Sequence, residues 1–411
     1  MAQVLVLFLL IFCVACRPRP GADTTMPPLS ASVTMAASDT NSPVLQALTD
    51  AVEDYSRSPQ AWFQRADWYL KKGDWQNALN DINWAIRLDQ NNSMYHYLLA
   101  LTYQRLGNSK AAWESALQAE KLNNQMPEFF LLMGELSQQR KEYTQAQKYL
   151  GKALEINPSA GEVYYFKAKV AAETGDTTQA LQWYHQGLKK RPDYVDMYNR
   201  LAELANASRN YELALQYVRD GLRQDSLKAL VSLQAQDLGR KSAYANLFYN
   251  AGNSFKGLNK LDTAKYLFDK TVTIKPSFYE ADYQLGLLYF NDKNYAKAQG
   301  HFEKVKKYQP QFRKTNYFLG VCYTQAGQLA NASTELALAR KADPTDNRIA
   351  EQSQKVSKLI AIQQYRQRRD SLNALLPPAE RTPRRTFIPF EPIAPKSFEI
   401  KKDTSMMKIG G

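Results

Sequence analysis

The residues that most often carry chemistry are scarce in this sequence. The three histidines are His96, His185 and His301, and Cys322 is the only cysteine after residue 16. Imidazole and thiolate groups act as metal ligands, bases or nucleophiles when several of them converge. None of these four belongs to a short metal-ligand, phosphate-binding or nucleophile motif. We therefore expect no catalytic residue, no metal site and no cofactor, with structural histidines and a buried, apolar Cys322.

Covalent chemistry is predicted at Cys16 alone. An uncharged apolar run from Val4 to Ala15 is too short to cross a bilayer comfortably and ends in small residues, which predicts a secretory signal peptide over residues 1–16. Its end, Cys13-Val14-Ala15-Cys16, resembles a bacterial lipobox, in which the last cysteine receives a diacylglyceryl group. Cys13 stands where Leu is usual, and an ordinary signal peptide cut at the same bond is the alternative.

The resemblance also implies a location. Residues 17–41 are rich in Pro, Ser, Thr and Ala and predict a disordered tether. Arg17 occupies the place where Asp would retain a lipoprotein in the inner membrane. We therefore expect an outer-membrane lipoprotein that faces the periplasm, with a secreted or periplasmic protein as the alternative.

The secondary structure of the chain can be predicted from one stretch, Tyr279 to Phe312. Versions of this stretch recur along the chain with a period of 34 residues. Leu285, Gly286 and Tyr289 lie on one face of a first predicted helix. Ala298, Phe302 and Val305 do the same on a second helix, and Pro310 closes the unit. Small residues opposite large ones predict two helices in close contact, and such a pair buries its apolar stripe only when neighbouring units stack on it.

The pattern Leu285-Gly286, Tyr289, Ala298, Phe302 and Pro310 resembles the tetratricopeptide repeat. Asp282 stands where Trp is usual. The resemblance implies an all-α fold, a right-handed superhelical solenoid of about eight helix-turn-helix repeats with helical caps, a disordered N-terminal tether and a C-terminal tail.

The period also divides the chain into segments. The predicted order is a capping helix, five repeats, an out-of-register insertion, three repeats, a second capping helix and a basic tail, over residues 42–58, 59–228, 229–244, 245–346, 347–370 and 371–411. In the insertion, Leu230, Leu233 and Leu238 predict a short amphipathic helix or an extension of a neighbouring one. We expect the insertion to bend the solenoid and to separate its two arms.

A binding surface is predicted on the first helices, which line the concave groove in proteins of this family. Six of the eight repeats place an aromatic residue at the same groove position: Phe63, Tyr97, Tyr165, Tyr249, Tyr283 and Tyr317. Such a ladder of rings can hold an extended peptide or stack on sugars. The alternative is that each ring packs on the next repeat. Neither the carboxylate clamp nor the asparagine ladder of specialised relatives is present.

Positive charge is concentrated near the C-terminus. The chain has a net charge of +13, and residues 347–411 hold 13 Lys and Arg against 6 Asp and Glu. Phe387 and Phe390 lie in a Pro-rich basic context and form a predicted docking motif, either for the chain's own groove or for a partner.

These observations predict a non-enzymatic scaffold that is tethered to the bacterial envelope and recruits protein partners through extended peptide segments. A surface lipoprotein that captures glycan or nutrient is the alternative. Nucleic-acid binding through the tail is disfavoured by the signal peptide.

Overall fold

The computed structural model describes residues 42–229 and 238–377. Within these ranges it contains eighteen α-helices and no strand, so the predicted all-α fold is confirmed. The chain forms two compact units, Met1–Phe166 and Lys167–Gly411. The first unit holds α1 (Pro43–Asp54), α2 (Pro59–Lys72), α3 (Trp75–Leu88), α4 (Ser93–Arg105), α5 (Ser109–Lys121), α6 (Pro127–Gln139), α7 (Tyr143–Ile156) and the start of α8 (Gly161–Glu173).

The second unit begins within α8 and continues through ten further helices. These are α9 (Thr177–Lys190), α10 (Val195–Ala207), α11 (Tyr211–Ala229), α12 (Leu238–Gly257), α13 (Leu261–Ile274), α14 (Tyr279–Asn291), α15 (Tyr295–Tyr308), α16 (Thr315–Gln325), α17 (Leu329–Ala342) and α18 (Asn347–Leu375). In both units, first and second helices alternate as antiparallel pairs joined by short turns.

The turns between paired helices follow from the glycine-polar dipeptides. Gly73 ends α2 with a φ of 77°, and its N–H donates to the carbonyl of Leu70. A positive φ is accessible to glycine without strain, which allows the chain to reverse here. Asp74 then caps α3 by accepting a hydrogen bond from the N–H of Asn77.

Packing inside a repeat is clearest between α14 and α15. The buried Gly286 lies against the ring of Phe302, which is fully buried and stacks on Phe318 with ring centroids 5.3 Å apart. Val305 and Cys322 complete this cluster. The predicted contact of small with large residues is therefore present, and Cys322 has the buried position expected for it.

Longer helices cover the described part of the register break. α11 continues to Ala229, and α12 begins at Leu238, seven residues before the predicted repeat start at Ala245. Leu230 and Leu233 lie outside the described residues. The compact units divide within α8 and not at this insertion.

Across the insertion, α12 packs directly on α10. The Nδ2 of Asn250 donates to the carbonyl of Asn199, and the Nδ2 of Asn199 donates to the carbonyl of Ala243, at 3.2 and 3.0 Å. One turn or more further along, Asn206 donates to the carbonyl of Asn250, and Ser254 donates to Asn206 Oδ1. We call these bonds the asparagine seam; they fix the rotation of α12 and therefore the direction of its side chains.

The helices at the two ends cap the array. Leu48 and Val52 of α1 are buried, as are Ile349 and Val356 of α18. α18 extends to Leu375, past the predicted end of the cap at residue 370. None of the described helices combines the length and the apolar character that crossing a membrane requires.

Candidate functional site

The predicted aromatic positions of the first unit are engaged in packing. The ring of Phe63 lies 5.3 Å from that of Tyr95. Tyr97 is 9% exposed and meets Phe129 edge to face at 6.4 Å, and burial raises its pKa to about 12. Tyr165 is half-buried beside Phe166. These rings pack on neighbouring aromatic residues of their own unit.

The second unit shows the same behaviour. Tyr283 is 6% exposed and contacts the rings of Phe302, Phe312 and Phe318. Tyr317 is half-buried, and the guanidinium of Arg348 lies 5.7 Å from its ring centroid. The packing alternative thus accounts for much of each ring, and ligand contact at these positions stays a prediction. Cys16, Phe387 and Phe390 lie outside the described residues.

A polar cluster surrounds the remaining ladder residue, Tyr249. Its ring packs on Phe268 of α13 and on Phe278, which precedes α14, with ring centroids 5.6 and 4.9 Å apart. Burial raises the pKa of the Tyr249 hydroxyl to about 12, while side-chain hydrogen bonds with Asn253 and Gln284 oppose that rise. The hydroxyl therefore stays protonated at neutral pH and can donate a hydrogen bond.

Lys256 lies one turn beyond Asn253 on α12. Its Nζ donates to Oε1 of the buried Gln284 at 2.8 Å. Burial lowers the pKa of Lys256, because an ammonium group loses hydration when it leaves water. Among the described residues no carboxylate forms an ion pair with this lysine. Lys256 is thus a partly desolvated cation whose one described side-chain partner is a neutral amide.

Carboxylates flank this cluster from α10 and α14. Glu203 and Glu280 both lie close enough to raise the pKa of Tyr249. Glu203 is held by Arg200, at 2.8 Å. Burial raises the pKa of Asp196, one turn earlier on α10, and Arg200 partly offsets this rise. A ligand group at Lys256 therefore meets a cation and neutral donors at the centre and acidic side chains around it.

We call Tyr249, Asn253, Lys256 and Gln284 the Lys256 cluster. Ammonium, phenol and amide groups can each donate a hydrogen bond to a carboxylate or a peptide carbonyl. Here Gln284 links two of them, because it bonds to both Lys256 and Tyr249. The described residues contain no group of three or more His, Cys, Asp or Glu side chains placed to hold a metal ion. This arrangement can bind a hydrogen-bond acceptor.

The three histidines and Cys322 have separate surroundings in the structure. His96 Nε2 lies 2.9 Å from the Gln90 carbonyl, and His185 Nε2 lies 3.2 Å from the Tyr217 hydroxyl. His301 bonds to Asp282, at 2.8 Å. Cys322 is fully buried, which raises its pKa to about 12. Each histidine therefore has its own partner and Cys322 is buried, as expected for residues that lie in different repeats of the sequence.

Lys256 was not among the predicted site residues, although the sequence holds a signal for it. The equivalent position of the other seven repeats carries Leu70, Gln104, Gln138, Ala172, Asn206, Phe290 and Thr324. A lysine at a position that is otherwise uncharged indicates a local requirement for charge. The absence of an ion pair between Lys256 and a described carboxylate depends on the side chains of three helices. It could therefore be recognised only from the structure.

Comparison with family models agrees with this architecture. Two models described as tetratricopeptide repeat match residues 63–127 in one case and residues 137–193 and 289–352 in the other. The chain carries tetratricopeptide repeats. The intervening residues, 194–288, are not covered by these matches, and they contain the asparagine seam and the whole Lys256 cluster.

Solved structures share the tetratricopeptide-type fold. The Cut9–Hcn1 hetero-tetramer of APC/C matches 76% of this chain and 58% of that chain at 15% identity, with a TM-score of 0.52. PilF of Pseudomonas aeruginosa matches 55% of this chain and 95% of that chain at 18% identity, with a TM-score of 0.48. PilW, described as a widely conserved type IV pilus biogenesis factor, matches 56% and 98% at 14% identity, with a TM-score of 0.45. A comparison with curated proteins gives no match.

Proposed function

We propose that this protein is a non-enzymatic interaction scaffold that binds an extended peptide segment of a partner protein along α10, α12 and α14. The observation that supports this most directly is Lys256, a half-buried cation whose described partner is the neutral Gln284. Holding a charge away from water without a carboxylate is unfavourable unless a ligand supplies the counter-charge. A peptide carboxylate, from an Asp, a Glu or a C-terminus, provides that charge.

The neighbouring groups support a peptide as the ligand. Tyr249 and Asn253 present a phenol and an amide beside the ammonium group, and amide groups pair well with peptide backbone. Glu203 and Glu280 near the cluster disfavour a ligand with many negative charges. The arrangement therefore favours a segment with one anionic group set in otherwise neutral or basic sequence.

Replacing Lys256 with Met should weaken binding of such a peptide about tenfold, which corresponds to about 1.4 kcal/mol. The stability of the second unit should stay unchanged or rise by up to about 1 kcal/mol, because the variant removes a desolvated charge. Peptides selected from a displayed random library on the full chain provide the probe, and fluorescence anisotropy measures their affinity.

The control variant is Lys189→Met on α9, which removes the same charge from an exposed position and should alter affinity less than twofold. Amidating the single carboxylate of the selected peptide should weaken wild-type binding as much as Lys256→Met does, with no further loss in the combination. Equal affinity of the selected peptides for wild type and Lys256→Met would move the binding face elsewhere.

We further propose that the scaffold is tethered to the bacterial envelope through a lipid on Cys16, with the outer membrane as the site. This rests on the sequence of residues 1–17. Changing Cys16→Ser should release the protein from the membrane fraction or stall its processing. Mass spectrometry of the N-terminal peptide and membrane fractionation measure both effects. A Cys16→Ser variant that fractionates with the membrane as wild type does, with no lipid mass on the wild-type peptide, contradicts the anchor.

A further inference from the structure

The C-terminal half of α18 leaves the array and is exposed along its length. The first half packs through Ile349 and Val356, and Ile360 lies against Leu336 and Val356. From residue 361 to residue 369 every side chain is exposed, and from there to residue 377 only Asp370 and Asn373 are half-buried. Exposure of this degree leaves little buried surface to stabilise this part of the helix, and short isolated helices are marginal in water.

Large apolar side chains lie on this exposed segment. Ile362 is 46% exposed, Tyr365 69%, Leu372 59% and Leu376 40%. Spacings of three and seven residues place Ile362, Tyr365 and Leu372 as a stripe on one face of the helix, because 3.6 residues complete a turn. Leu376 directly follows the last helical residue, Leu375. Single apolar residues on a surface are ordinary, but several exposed apolar residues on one face of a helix are not.

Basic side chains border this stripe. Residues 355–376 contain Lys355, Lys358, Arg366, Arg368 and Arg369 against a single acidic residue, Asp370. At 100° per residue, Arg366 and Arg368 fall on opposite sides of the stripe, and Arg369 lies within it. The opposite face carries uncharged polar residues, Gln363, Gln367 and Ser371.

The charge distribution distinguishes between possible occupants of this face. Arg369 is paired with Asp370, at 2.8 Å. A second copy of α18 would bring the remaining cations, Arg366 and Arg368, close to the same side chains of its partner, and like charges repel. An acidic surface compensates that charge. Arginine stems beside an apolar stripe allow the stripe to enter an apolar layer while the guanidinium groups reach phosphate groups. A basic amphipathic helix of this kind suits the interface of an anionic bilayer.

We propose that residues 361–375 of α18 lie on the surface of an anionic lipid membrane, with Ile362, Tyr365 and Leu372 directed into the interface. This contact is independent of the peptide site at Lys256 and of any lipid on Cys16. It gives the C-terminal end of the second unit its own attachment to a bilayer.

Hydrogen exchange of the full chain provides a local measurement that a lipid anchor elsewhere does not obscure. Vesicles of phosphatidylcholine with 30% phosphatidylglycerol, about a third anionic as in charged membranes, should slow amide exchange in residues 361–375 at least tenfold. Vesicles of phosphatidylcholine alone should change it less than twofold. The protection should fall as salt rises, because screening weakens the attraction.

The variant Arg366→Glu/Arg368→Glu should abolish the protection, and the matched reversal Lys189→Glu/Lys190→Glu on α9 should leave it intact. Tyr365→Ser/Leu372→Ser, which keeps every charge, should reduce it at least fivefold. Equal protection by neutral and anionic vesicles, or none with either, would overturn the proposal. Protection that appears without vesicles and grows with protein concentration would overturn it in favour of a second copy.

Discussion

Changing Gly286→Leu should destabilise the second unit by at least about 3 kcal/mol, at the upper end of the usual cost of overpacking. A Cβ atom at Gly286 would lie 2.5 Å from Cε1 of Phe302 and 2.8 Å from two further ring atoms. Phe302 is fully buried and stacks on Phe318, so its ring has no free space to enter. The contact can be relieved only by separating α14 from α15.

Because the chain forms two units, one global free energy of unfolding does not describe it. Native-state hydrogen exchange of α14 and α15 gives the local value instead. The control lies on α15 of the same repeat, at Gly300, where an added Cβ meets nothing within 4 Å. Gly300→Ala should stabilise the helix by about 0.5 to 1 kcal/mol. Equal effects of the two variants would show that the close approach of α14 and α15 does not limit stability.

Replacing His301 with Leu should cost about 3 to 5 kcal/mol, because it leaves a buried carboxylate without its partner. Asp282 is fully buried, and its Oδ1 accepts a hydrogen bond from Nδ1 of His301 at 2.8 Å. Its Oδ2 has no hydrogen-bond partner among the described residues, and Lys304 Nζ is 4.0 Å from Oδ1. Lys304 is too exposed and too distant to replace the histidine.

The double variant Asp282→Phe/His301→Leu should regain most of this loss. Five other repeats hold an aromatic residue at the position of Asp282, namely Trp62, Phe130, Tyr164, Tyr198 and Phe248. A buried ion pair replaced by apolar residues of suitable volume is often neutral or stabilising. Urea unfolding, followed by amide hydrogen exchange in α14 and α15, gives the free energies of unfolding for the double-mutant cycle. The control is His185→Leu at an exposed position of α9, whose free energy of unfolding should lie within about 0.5 kcal/mol of wild type. Additive single effects would show that Asp282 and His301 do not depend on each other.

The sequence alone was sufficient for the repeat geometry. Gly73 marks a helix end that the structure has with a positive φ, and the complementary sizes of Gly286 and Phe302 predict the contact between α14 and α15. These features are local, or repeat with a fixed period, so that one repeat informs the next. The extension of α12 back to Leu238 was one of two forms predicted for the insertion, but its start could not be fixed because residues 238–244 contain neither a strong cap nor the periodic signature.

The polar contacts could not be predicted from the sequence. Asp282 was visible as a departure from the repeat pattern, but its pairing with His301 depends on the rotation of two helices. The pairing of Lys256 with Gln284 likewise joins residues of different repeats. The aromatic residues at the predicted groove positions fit the family pattern, but much of the surface of each ring is buried against neighbouring side chains. The sequence does not distinguish the two roles, because one ring can pack in the core and still be partly exposed in a groove.

The asparagine seam has a consequence for how the second unit unfolds. A linear array loses order from its ends or at its weakest junction, since each repeat is stabilised mainly by its immediate neighbours. An interruption of the period would ordinarily be such a junction. Here the side chains of Asn199, Asn206, Asn250 and Ser254 join α10 to α12 across the interruption. Unfolding of α12 therefore leaves the hydrogen-bonding side chains of Asn199 and Asn206 on α10 without their partners. We expect α10 and α12 to unfold together, as one cooperative step.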